Sequence, residues 1–83
     1  MSHEDDRFKN YLFDVGLLMK DRALEAKKDR AKERKGTKAY MYESGRVMAF
    51  NEVISIMQQQ AEAFGIPLEE LRLDDIDPDR DLL

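Results

Sequence analysis

Eighty-three residues are enough for one thin domain, and chains of this size often need a metal, disulfides or a partner chain to complete a core. The absence of cysteine removes disulfides and thiolate metal sites and suits a reducing compartment. Charged residues make up 39% of the chain, yet the net charge is only −4, so the distribution of charge says more than its sum.

That distribution is polarised. Lys27 to Lys38 holds seven basic and two acidic residues, whereas Ile66 to Leu83 holds seven acidic and two basic ones. Met1 to Asn10 lacks the basic-then-apolar pattern of a secretory signal. No apolar run approaches the roughly 20 residues that span a bilayer. The reading is a single helical domain over residues 1–83, cytoplasmic and away from membranes, with residues 1–6 frayed.

Taken in order, Ser2 or Asp5 can cap a first helix, and Glu4, Asp5 and Asp6 suit its positive N-terminal end. The helix is expected over about 7–35. Phe8, Tyr11, Leu12, Val15, Leu18, Met19 and Ala26 recur at spacings of three and four and define one apolar face. Phe13, Leu17 and Leu24 form a second line nearly opposite. A two-helix hairpin covers only one of these faces, and each buried Phe or Leu is worth roughly 1.5–3 kcal/mol. The second line is therefore expected to be covered by another copy of the chain, with the C-terminal segment as the alternative cover.

Beyond Leu24 the helix is charged all round. Gly36 ends it, basic residues occupy its last turn, and Thr37 can cap the next helix. A Gly36–Thr37 loop would force two antiparallel arms, each about 40 Å long. The second helix is expected over about 38–64, where Val47, Phe50, Val53, Ile54, Met57, Ala61 and Phe64 share a face. Gly45, Ala49 and Ala63, with Ile56 beside them, form a small-residue side that suits close approach by another helix. Gly65 and Pro67 stop it. Folded at Gly36–Thr37, the two stripes match: Ala26 falls opposite Val47, and Phe8 opposite Phe64.

Pro67 suits the start of a short helix to Leu71 that tucks Ile66, Leu68 and Leu71 against the open end. Residues 74–83 read as an acidic extended tail in which Pro78 prevents further helix. Its alternate Asp75, Asp77, Asp79 and Asp81 lack the Gly and Glu that a calcium loop requires. They suit a solvated tail, or one that docks on the basic turn of a neighbouring copy.

No catalytic, cofactor or metal constellation emerges. His3 is the single histidine, and Ser44 and Ser55 have no histidine to activate them. The basic turn offers Lys27, Lys28, Arg30, Lys32, Arg34, Lys35 and Lys38, with Tyr40 and Tyr42 nearby, to phosphates and bases. The same pattern is common on solvated helix ends, and no nucleic-acid-binding signature accompanies it. Glu43 and Arg46, at i and i+3, are expected to pair with each other or with Arg30. Met19 and Met57 read as core filling, Met41 and Met48 as contacts for another chain.

The fold expectation is thus all-α: an antiparallel two-helix hairpin plus a short C-terminal helix, associating as a homodimer into a four-helix, coiled-coil-like bundle. The functional expectation is a small self-associating protein-interaction module, a regulator or adaptor with no catalytic activity. The alternative is a nucleic-acid-binding protein that uses the basic turn.

Overall fold

A computed structural model describes residues 3–83. The chain is all-α. Helix α1 (His3–Ala31) and helix α2 (Lys38–Ala63) pack antiparallel, and a 3-10 turn (Leu68–Leu71) and a one-turn helix α3 (Pro78–Asp81) follow. The molecule is elongated, 53 × 21 × 16 Å, as a hairpin of long arms must be. The proposed cap Ser2 lies outside the described residues.

Helix α1 stops at Ala31, earlier than the expected Lys35. Lys32 to Lys35 has no apolar side chain with which to pack, and short helical turns in water are marginal without tertiary contacts. The connection is therefore Lys32–Thr37 rather than Gly–Thr alone. Gly36 takes the left-handed φ of 89° that reverses the chain. Thr37 caps α2: its hydroxyl accepts from the Tyr40 amide at 3.2 Å and donates to the Arg34 carbonyl at 2.7 Å.

Where the arms meet, the core follows the matched stripes near the turn. Ala23 and Ala26 of α1 and Val47, Ile54 and Ala61 of α2 are buried. At the open end the match fails: Phe8 and Phe64 remain exposed, as do Tyr11, Leu18 and Val53. Two helices touch along a narrow line, and these stripes are wider than that line. Met19 and Met57 pack against the core, while Met41 and Met48 are exposed.

The largest departure from expectation concerns the C-terminal segment. It is a third layer of the core rather than an acidic extended tail in solvent. Leu71, Leu73, Ile76, Pro78 and Leu82 are buried, and Leu73 and Leu82 are fully so. Pro78 does not prevent helix here. It starts one, because the first helical position needs no N–H, and Asp77 caps it by accepting from the Arg80 amide.

Candidate interaction surfaces

The path of the C-terminal segment determines which surfaces remain open. The 3-10 turn crosses α1 at Gly16, where the Leu71 carbonyl lies against the helix backbone. A Cβ built on Gly16 would collide with that oxygen and sit 2.8 Å from its carbon. From there the segment runs toward the hairpin turn, along the groove between the two helices. Lys20 pairs with Asp75 at 2.9 Å. Gln58 donates to the carbonyls of Leu73 and Ile76 at 3.1 and 2.8 Å. Asn51 donates to Asp79 at 3.0 Å. Near the turn, Lys27 donates to the Asp81 carbonyl and Arg30 to that of Leu82.

Small residues admit this layer. Gly16 and Ala23 lie on the side of α1 that faces it, whereas Gly45, Ala49 and Ala63 of α2 are exposed. Within the chain, the close approach is made on α1, by the C-terminal segment.

The Phe13–Leu17–Leu24 line flanks the same layer. Arg72 sits over the Phe13 ring at 4.9 Å, a cation–π contact. Leu17 is half-buried, and Phe13 and Leu24 are 37% and 39% exposed. Its cover is in part the C-terminal segment, the alternative that sequence left open. Taking about 100° per residue, Tyr11, Val15 and Leu18 lie on the opposite side of α1, and Phe50, Val53, Met57 and Phe64 on the opposite side of α2. The C-terminal segment reaches that side at the open end, where Ile66 and Leu71 line a recess with Met57 and Phe64.

The basic turn is partly committed. Lys27 and Arg30 serve the C-terminal carbonyls, Lys32 lies 3.9 Å from Asp29 and Tyr40 is half-buried. Lys28, Arg34, Lys35, Lys38 and Tyr42 are exposed. Arg46 pairs with Glu43 at 2.6 Å and with Asp29 of α1 at 3.3 Å, so Asp29 replaces the expected Arg30. Both carboxylates, Glu43 first, raise the Arg46 pKa. This cluster of one guanidinium and two carboxylates ties the helices together near the turn, with Arg46 committed to both carboxylates.

The four alternate aspartates do not converge on a common point. Asp75 meets Lys20, Asp77 caps α3, Asp79 meets Asn51 and Asp81 meets Arg80. No metal-holding group of carboxylates and imidazoles occurs among the described residues, and no helix is long and apolar enough to cross a membrane.

Asp81 closes α3 from the other side. Its carboxylate accepts from the Asp77 amide at 2.8 Å and from Arg80. The Arg80 guanidinium, and then the Asp77 N–H, hold its pKa down to about 2. Lys20 lowers that of Asp75. A depressed carboxylate stabilises the fold above its ordinary pKa of about 3.9, and this contribution disappears as pH falls through the folded-state value. Asp81→Asn is therefore expected to lower the urea midpoint at pH 7, with the gap to the parent chain closing between about pH 4 and about pH 2. A gap of constant size across that window would contradict the assignment.

Two of the recesses among the described residues border these surfaces. One, of about 640 Å³, lies between α2 and the C-terminal segment, with Gln58, Glu62, Pro67 and Asp79 among its walls. The other, of about 210 Å³, is almost wholly apolar and lies at the open end, among Leu12, Ile56, Met57, Phe64 and Leu71. No protein-family model, curated protein or solved structure matches the chain.

Proposed function

We propose that the protein is a small, non-catalytic helical interaction module, a regulator or adaptor of the cell interior that works by presenting one helical face to a protein, a second copy of itself included. The observation that carries this reading is the unequal treatment of the hairpin's two sides. One side is closed by the C-terminal segment. The other leaves Phe8, Tyr11 and Phe64 at 63%, 66% and 76% exposure. Contiguous bare apolar surface of this kind marks interaction sites on soluble proteins.

The test is capture from source cells with two folded baits, the parent chain and Leu18→Glu. A partner retained by the first and lost from the second supports the reading. A partner retained equally by both would contradict it, as would capture of neither another protein nor a further copy of the chain.

Nucleic-acid binding through the basic turn is the weaker reading, because Lys27 and Arg30 already hold the C-terminal segment. It predicts salt-dependent DNA or RNA binding that disappears when Lys28, Arg34, Lys35 and Lys38 are changed to Glu. Binding indifferent to those changes would remove it.

A further inference from the structure

We infer that the uncovered face is a homodimer interface, in which two hairpins pack antiparallel through their open-end halves and complete a four-helix core. This rests on the interaction reading above and adds the occupant, the face and the orientation.

The first ground is area. At roughly 200 Å² for a fully bare aromatic side chain, Phe8, Tyr11 and Phe64, at 63%, 66% and 76% exposure, leave about 400 Å². Leu18 and Val53, at 52% and 40%, and Ile56 at the outer edge of the face, at 57%, bring the total toward the roughly 800 Å² per partner of a standard interface. None of the six side chains is charged. The exposed charges beside them on α1, Asp14 and Arg22, are of opposite sign, so the patch suits an identical apolar face better than a nucleic acid.

The second ground is shape. A recess of about 210 Å³, almost wholly apolar, opens at the edge of this face, walled by Ile56, Met57 and Phe64 on α2 and by Ile66 and Leu71 of the C-terminal segment. That is below the roughly 300–1,000 Å³ of a small-molecule site but of a size to receive one projecting side chain, as a hole receives a knob between packed helices. Projecting rings on the patch and a recess at its edge make the face self-complementary, which is what a two-fold interface demands.

Charge fixes the orientation. The apolar residues occupy the half of the hairpin away from the turn, and residues 27–38 carry seven basic and two acidic side chains. Parallel packing would bring two such turns to the same end. Antiparallel packing separates them while the apolar halves still overlap.

Sedimentation equilibrium of the full chain across about 5–200 μM tests the state. The variants Leu18→Glu, Ile56→Glu and Leu24→Glu test the face, with circular dichroism confirming that each is folded. The parent chain and Leu24→Glu are expected to be dimers. Leu18→Glu and Ile56→Glu are expected to weaken association at least tenfold while keeping their helix content. With no native cysteine, a single spin label at Lys35→Cys reads orientation, and antiparallel packing predicts a label separation of at least about the 53 Å length of one molecule.

A parent chain that stays monomeric at 200 μM overturns the dimer. If such a monomer still captures a partner sensitive to Leu18→Glu, the interaction reading survives alone; if it captures none, both fall. Dissociation caused by Leu24→Glu but not by Leu18→Glu or Ile56→Glu overturns the choice of face. A label separation well under the molecular length overturns the orientation.

Discussion

Leu73→Ala and Leu82→Ala are each expected to destabilise the chain by about 2–5 kcal/mol, the range for truncating a buried leucine. Both side chains are fully buried, although they belong to a segment whose composition suggests solvent. The cost has two sources: the lost apolar transfer and the cavity left between α1 and α2. A small domain sits near the low end of the 5–15 kcal/mol common to folded proteins. Either change would thus consume a large part of the total, lowering the urea midpoint with little change of slope. Loss of less than about 0.5 kcal/mol, the range for surface positions, would show that the segment is not part of the core.

Gly16→Ala is expected to destabilise by about 1–3 kcal/mol, the usual penalty for overpacking. The sign is informative, because alanine in a helix interior is ordinarily favoured over glycine by about 1 kcal/mol. At Gly16 the added methyl meets the Leu71 carbonyl, a backbone atom that cannot rotate away. Gly45 supplies the contrast. It also lies within a helix, and a Cβ there meets nothing within 4 Å. Gly45→Ala is therefore expected to stabilise by about 0.5–1 kcal/mol. Opposite signs at the two glycines, measured by urea unfolding, would locate the crossing of the 3-10 turn. Stabilisation at both would place the turn elsewhere.

Much of the hairpin was legible because its determinants are local. Three-and-four spacing marks both helices, Gly36 and Thr37 mark the reversal and the cap, and Val47 and Ala26 are buried as the matched stripes required. What spacing could not supply was the width of the contact. Phe8, Tyr11 and Phe64 lie on the same stripes yet remain exposed, because periodicity reports a face and not how much of it a partner reaches.

The C-terminal segment was harder for a different reason. Its seven acidic residues suggested solvation, but its apolar residues, Leu71, Leu73, Ile76 and Leu82, have no helical period, since the chain there is largely irregular. Two signals were present and went unused. Asp77–Pro78 is a helix start by the same rule that favours proline at a first helical position. Gly16, isolated in a long helix, is a place where another backbone can approach. Lys20, Asn51 and Gln58, which hold the segment, carry no sequence mark of their own. They are ordinary polar residues until the fold brings backbone carbonyls and carboxylates within reach.

The candidate surface follows from the same geometry. With one side of the hairpin closed by Leu73, Ile76 and Leu82, the bare apolar residues are those on the other side. The proposed interaction face depends on that closed side being closed.

Methyl nuclear Overhauser effects from Leu73, Ile76 and Leu82 test this most directly. The account predicts long-range effects from all three to α1 and α2, with those of Leu82 arising near Arg30 at the turn end, where its carbonyl accepts a hydrogen bond. Narrow, random-coil signals without long-range effects beyond Leu73 would contradict it.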